Sequence, residues 1–357
     1  MSSSPRVVST SHSASARGVY RVAIVGAGTV KGKEVADVIA DRNFPSSDIK
    51  LLDEDEALGK LESAGDEVTF IQSVRGEQFE RVDFTFFASD GEATRKHWKA
   101  ARDAGSAILD LSGALENESD AVVRAPWIER QLGHAPVPQL QPGPAVVAHP
   151  AAIVLGLLLL RLQKAGEVSN AAATVLEPAS ERGQKGMDEL HEQTVNLLSF
   201  QPLPKNVFDT QVAFNMVSRY GDQAKPTLAS IEERILRHCK LLLENSAPLP
   251  AVLLLQAPIF HGHAFAIHVE MRQPSSVEGL TRALTGEHVT ITTGADEAPS
   301  NVNAAGHGDI LVSVAPDGGQ PGGFWLWAAA DNLRVAATNA VECAETMAAS
   351  RPRGKIQ

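Results

Sequence analysis

An apolar run of β type, Tyr20–Val25, ends at Gly26-Ala27-Gly28-Thr29-Val30-Lys31-Gly32, and a helical pattern follows to about Ala40. Few sequences constrain a fold more. A strand that turns at once into a helix needs residues without a Cβ where the backbone bends and where helix and strand approach. The unpaired N–H groups of the first helical turn then face whatever lies beyond the strand end. Strand, Gly-rich turn and helix in this order predict a dinucleotide-type α/β unit. Further strands are expected at Asp48–Leu52, Glu67–Ile71, Phe84–Ala88 and Ala107–Leu111, with a helix at Thr94–Ala104. Alternation of strands and helices predicts a parallel, doubly wound sheet, a Rossmann-type arrangement.

The texture changes after Pro150. Helices are expected at Ile153–Leu162, Met187–Leu198 and Thr227–Leu243, with a strand at Asn170–Leu176 and a loop around Phe208–Tyr220. Consecutive strands follow at Ala251–Gln256, Phe260–Met271, Val289–Thr292, Asp309–Ala315 and Gly323–Ala330, and a last helix at Asn332–Ala349. Strands in succession imply a mixed or antiparallel sheet. The expected division is a disordered tail at 1–19, a dinucleotide-binding domain at 20–150, a central α+β domain at 151–330 and a C-terminal helix at 331–350.

Composition excludes several roles. A net charge of −11 argues against nucleic acid and anionic membranes as partners. The longest apolar run, Ile153–Leu160, is too short to span a bilayer. Two cysteines, Cys239 and Cys343, both in helical patterns, suggest a reducing compartment without a disulfide framework. The Ser-rich tail has the composition of a transit peptide but no amphipathic face, so a cytoplasmic protein is expected.

Four stretches carry a family resemblance: the Gly-rich turn, His149-Pro150-Ala151-Ala152 entering a helix, Pro258-Ile259-Phe260-His261-Gly262-His263, and Asp331-Asn332-Leu333-Arg334 before an Ala-rich helix. Together they resemble aspartate-semialdehyde dehydrogenases from Tyr20 to Ala349. The resemblance implies that the C-terminal helix returns to the dinucleotide domain and that the central domain carries a homodimer interface. It also implies a reaction in which a Cys thiolate attacks an aldehyde, hydride passes to NADP and phosphate releases the acyl group. The family reads Asn-Pro-Asn-Cys where this chain has His149 to Ala152, so Ala152 stands at the nucleophile position. A methyl group forms no thioester.

Other positions depart as well. His263 occupies the place of the family's base, and Glu177 stands where the family has an orienting Gln. Either they form an acid–base pair or His263 is a packed, hydrogen-bonded residue. Gln256 replaces an Arg that grips substrate carboxylate, and Glu116 lies near the position of a phosphate-binding Arg. Loss of both cations is expected to disable anion binding. Gly26, Gly28 and Gly32 suit a pyrophosphate, while Thr29 stands at the middle Gly of the family pattern. Asn332 is carried over as a cofactor contact. The run Asp53-Glu54-Asp55-Glu56 suits a ribose 2′-hydroxyl and repels a 2′-phosphate, so NAD is preferred to NADP if either binds. The same run reads equally well as a solvated acidic turn. His149, Glu177, His261 and His263 could converge on a metal, but no metal is expected.

The reading these residues support is a family member without the aldehyde oxidoreductase activity, holding a nucleotide or small metabolite in a binding or regulatory role. Beside the reading that the resemblance alone implies, an NAD(P)-dependent semialdehyde dehydrogenase of amino-acid biosynthesis, two others stay open. One is an enzyme with altered acid–base chemistry at Glu177 and His263, which buried, mutually hydrogen-bonded polar groups around Ala152 would favour. The other is a structural subunit pairing with an active homologue.

Overall fold

In the computed structural model, residues 19–54, 59–64, 67–134, 143–294 and 297–350 are described. Asp55, Glu56 and most of the N-terminal tail lie outside them.

The first half runs β1 (Tyr20–Val25), α1 (Val30–Asp41), β2 (Ser46–Asp53), β3 (Leu61–Ala64), β4 (Glu67–Phe70), β5 (Gln72–Ser73), β6 (Phe84–Phe87), α2 (Gly91–Asp103), β7 (Ala107–Asp110), β8 (Val122–Arg124), α3 (Pro126–Leu132) and β9 (Ala145–Val147). Seven of these strands form one sheet in the order β5-β2-β1-β6-β7-β9-β8, every pairing parallel. Side chains on both faces of β1, β6 and β7 are buried, as a doubly covered parallel sheet requires. The expected strand at Glu67–Ile71 forms but does not join this sheet; it pairs antiparallel with β3. The edge it would have taken is filled by the two residues of β5. β8 and β9 are three residues each and show no periodicity in sequence.

The second half runs α4 (Pro150–Leu162), β10 (Val168–Glu177), α5 (Gly183–Leu198), α6 (Leu228–Leu243), β11 (Ala251–Gln256), β12 (His263–Met271), α7 (Val277–Leu284), β13 (Val289–Ile291), α8 (Asn301–Ala304), β14 (Ile310–Pro316), β15 (Gly323–Ala330) and α9 (Asn332–Ser350). Its sheet is mixed, in the order β11-β10-β12-β15-β14-β13. β12 starts three residues later than expected because Gly262, at φ +81°, turns the chain just before it. Every residue of α4 is buried, so it is the central helix of the larger core.

The outer face of the mixed sheet is open. In register across it lie Leu253, Thr174, Ala266, Trp327 and Ser313, and beside them Ala251, Ala172, His268, Trp325 and Ala315. Leu253 is 50% exposed and Trp325 46%. Alternation along β15 puts Trp325 and Trp327 outward and Phe324, Leu326 and Ala328 into the core.

α9 packs its small residues Ala336, Ala337, Ala340 and Ala344 into the core that also holds Val22, Ile24, Val35 and Ile39. Ion pairs knit it to α1: Arg334 reaches Glu34 at 2.9 Å and also Asp41, and Arg42 reaches Glu345 at 2.7 Å.

Candidate functional site

The Gly-rich turn is tight for steric reasons. A Cβ on Gly32 would lie 2.1 Å from the Gly26 carbonyl oxygen, and one on Gly26, at φ +85°, 2.4 Å from the Ser89 nitrogen. Thr29 is the N-cap of α1. Its hydroxyl accepts from Gly32 N at 2.9 Å and donates to Gly26 O at 2.8 Å, so the oxygen is turned into the loop. At the end of β2, Asp53 accepts from Gly28 N at 2.8 Å. That fixes a carboxylate beside the turn. Glu54 points elsewhere: it pairs with Lys96 at 2.6 Å and His97 at 3.1 Å on α2.

The second group sits where strand ends of the mixed sheet meet. Antiparallel pairing sets Leu176 opposite Ala264 and His263 opposite Ala330. Glu177, His263 and Asn332 are therefore neighbours. His263 Nε2 lies 3.2 Å from Glu177 Oε2, and both residues are buried. The second carboxylate oxygen and His263 Nδ1 have no hydrogen-bond partner. Burial raises the Glu177 carboxyl above its ordinary range, with the His263 contact opposing. Asn332 is fully engaged. Its Oδ1 accepts from Ser180 Oγ and Gly262 N at 3.1 Å each, and its Nδ2 donates to Glu181 at 2.8 Å.

His149 is the N-cap of α4, its Nδ1 accepting from Ala151 N at 3.2 Å. Its ring centroid is 5.7 Å from that of His263. Burial, the largest influence, pushes its pKa well below the usual value, so it is a neutral imidazole. His149 N donates to His238 Nδ1 at 2.8 Å. That leaves the His238 proton on Nε2, which faces Glu116 Oε1 at 3.1 Å. Arg234 and Arg237 of α6 pair with the same carboxylate. Burial opposes ionisation of Glu116, but His238, Arg234 and Arg237 together hold its pKa down to about 2. The loop carrying Glu116 is built by Asp110, whose buried carboxylate accepts from Ser112 N, Gly113 N and Leu115 N at 2.8, 3.1 and 2.9 Å.

Between these groups is a small polar cavity lined by Lys31, Ala148, His149, Pro150, Glu181 and Arg234, with about 10 Å³ of free volume. That is roughly the space of one water. Burial works against the Glu181 anion, yet Lys31 above all and the Asn332 hydrogen bond hold its pKa below the ordinary carboxylate range. Ala152, in the first turn of α4, is 0% exposed.

Of the residues named from sequence, the fold brings His149, His263 and Glu177 together and puts Ala152 in the helix turn that His149 caps. His261 is only half-buried, and its carbonyl accepts from Asn301 Nδ2 at 3.4 Å. No group of three or more His, Cys, Asp or Glu residues able to hold a metal occurs among the described residues. The positions of Gln256 and Glu116 carry no cation, but Lys31 and Arg234 line the cavity. Glu116 is not an isolated repelling anion; two arginines neutralise it. Gln256 is a structural residue. Its Oε1 accepts from Tyr220 OH at 2.7 Å, and its Nε2 donates to Glu177 O at 3.0 Å and Ala257 O at 2.8 Å. Lys31, Glu181, Arg234 and His238 were missed. Only Lys31 gave a signal, as a charged residue inside an otherwise small and apolar turn.

A dinucleotide's two ends meet different surroundings here. The turn, the first-turn N–H groups of α1 and Asp53 fit an adenosine ribose and pyrophosphate. Toward α4, Lys31 and Glu181 line the polar cavity.

A parallel dinucleotide sheet joined to a mixed-sheet domain, with a His–carboxylate pair beneath an X-Pro helix start, defines an aldehyde-dehydrogenase-like class. Comparison with known proteins specifies it. The family model of the semialdehyde dehydrogenase NAD-binding domain matches residues 21–133, and that of its dimerisation domain matches residues 159–335. A USG-1 protein homolog of Pseudomonas aeruginosa is 31% identical over 91% of this chain and 97% of that protein. An aspartate-semialdehyde dehydrogenase of Rickettsia bellii is 27% identical over 92% and 97%. The solved structure of a probable aspartate-semialdehyde dehydrogenase from Pseudomonas aeruginosa superposes with a TM-score of 0.81 at 29% identity, covering 92% of this chain and 98% of that one. The chain belongs to the semialdehyde dehydrogenase family and carries its NAD-binding fold. No helix among the described residues is long and apolar enough to cross a membrane.

Proposed function

We propose that this chain is a homodimeric, nucleotide-binding member of the family that lacks the aldehyde oxidoreductase reaction and serves a binding or regulatory role. The observation that carries the reading is Ala152. It stands in the first turn of α4, which is capped by His149, whose ring centroid lies 5.7 Å from that of His263, and it carries no thiol. Cys239 offers no replacement, because burial pushes its pKa up to about 12 and no thiolate forms. Of the two dinucleotides NAD(H) is preferred, since Asp53 beside the turn repels a 2′-phosphate. The open face with Trp325 and Trp327 is the dimer surface. The test is turnover of aspartate semialdehyde with NAD or NADP in the presence of phosphate; substantial NAD(P)H production would overturn the reading.

A second reading has its own support. The polar groups near His149, Glu177 with His263 and Asn332 with Glu181, are the kind of cluster an acid–base enzyme needs. It calls for deuterium exchange α to the carbonyl of short aldehydes and ketones in D2O. Exchange abolished by His263→Asn would establish it, and a rate equal to that of buffer would dismiss it.

A further inference from the structure

The Glu116 side chain is 7% exposed, and donors converge on both of its carboxylate oxygens. Arg234 Nε meets Oε1, His238 Nε2 lies 3.1 Å from the same oxygen, and the Arg237 guanidinium meets Oε2. Two cations and an imidazole hold a bound carboxylate in the same way. Most of this cradle keeps its place without Glu116. His238 is 0% exposed and is anchored on its other side, where Nδ1 accepts from His149 N at 2.8 Å. Arg234 is packed against the loop backbone, since a Cβ on Gly113 would lie 2.1 Å from its guanidinium. The loop is tied by Asp110, which accepts from Ser112 Oγ at 2.6 Å and from three backbone N–H groups. Arg237, half exposed, opens the cradle to solvent on one side. Arg234 and His149 also line the cavity at the start of α4, so the cradle adjoins the centre at His149 and His263.

We propose that Arg234, Arg237 and His238 form a preformed carboxylate site beside this centre, and that Glu116 is its built-in occupant. The chain supplies its own anion there, so a carboxylate or phosphate group of an outside ligand finds the donors taken. Glu116 is thereby a specificity-determining residue that turns anionic ligands away by filling their site. The opposing view is an ion pair whose members are drawn together by Glu116 alone. In that case the cradle falls apart when the carboxylate is removed.

Truncation separates the two. Glu116→Ala removes Cγ, Cδ and both carboxylate oxygens, the heavy atoms of acetate itself, and leaves the donors facing a hole of that shape. The experiment compares thermal midpoints of the full chain in sodium acetate and in sodium chloride at equal ionic strength, for the parent, Glu116→Ala and Glu116→Gln. A millimolar dissociation constant is within reach of so small a ligand. About 100 mM acetate in place of chloride should then raise the midpoint of Glu116→Ala by roughly 2–4 °C more than that of the parent. Glu116→Gln, whose side chain still fills the hole, should behave as the parent does. Adding Arg237→Met to Glu116→Ala should remove most of the response. An alanine variant recovered folded only from acetate buffer gives the same result, read as yield. An alanine variant that responds to acetate no more than the parent, or that folds in neither salt, overturns the proposal.

Discussion

His263 and Glu177 form a buried pair, Nε2 to Oε2 at 3.2 Å, with no thiol for the imidazole to deprotonate. His263 is 1% exposed and Glu177 0%. The pair persists as part of a polar core that includes Asn332, Ser180 and Glu181, so removing any one member strands the others without partners.

Ala152→Cys restores a thiol but not the reaction. The amide of Gln256 is saturated by Tyr220 and two carbonyls, leaving no donor for a substrate carboxylate. Loss of a covalent nucleophile costs on the order of 10⁴–10⁶ in rate, and the variant is expected to recover only a trace of it. Steady-state NAD(P)H production with aspartate semialdehyde and phosphate measures this. Robust turnover would mean that Arg234 and Lys31 suffice to hold the substrate.

Glu116→Leu leaves Arg234 and the buried His238 without their carboxylate. Breaking such a pair costs about 3 kcal/mol. The folded-state pKa of Glu116, about 2, is below its ordinary value of 4.5. Its contribution is therefore complete above about pH 4.5 and is lost as pH falls toward about 2. Urea unfolding at pH 7 and at pH 3 should show the gap between parent and variant shrinking at the lower pH. A constant gap would mean the carboxylate charge is not what the variant loses.

His288 stacks on Trp127 at 4.0 Å with the rings 6° from parallel. Burial first, with the Arg130 and Arg42 cations adding to it, lowers its pKa to about 4, while Glu287 and Asp309 oppose. The unfolded chain binds a proton near pH 6.5 that the folded chain refuses until about pH 4, so stability falls as pH drops through this window. His288→Phe keeps the stacking and should reduce the loss of thermal midpoint between pH 7 and pH 5. An identical pH slope in the variant would show that other groups set it.

Trp325→Glu places a carboxylate in the middle of the open sheet face, beside His268, whose ring centroid is 4.8 Å from that of Trp325. The parent is expected to be a dimer by light scattering at micromolar concentration, and the variant a folded monomer. A charge in a buried interface core is strongly unfavourable. A monomeric parent would move the dimer surface elsewhere or remove it.

Much of the fold was legible in sequence because local rules set it. Alternation gave β15, with Trp325 and Trp327 on one face, and β1 and β11 run between the residues the pattern marks. Thr29 and Pro150 sit at helix starts for reasons contained within one turn. Three-residue strands such as β8 and β9 carry too little pattern to be seen, and β4 was read as a strand of the wrong sheet because a strand's sequence does not name its neighbour.

That residue 152 is an alanine and carries no thiol is a fact of sequence alone, since no folding adds a sulfur atom. The charge of Glu116 was equally plain, but its meaning was not. Its partners Arg234 and Arg237 lie 118 and 121 residues away, and only the packing of α6 against the loop after β7 brings them near. The same holds for Lys31, which shares a cavity with Glu181 and Arg234 because α1, the turn after β10 and α6 converge at the start of α4. Coulomb energy depends on separation and on the surrounding dielectric, and both are set by the tertiary structure rather than by position along the chain.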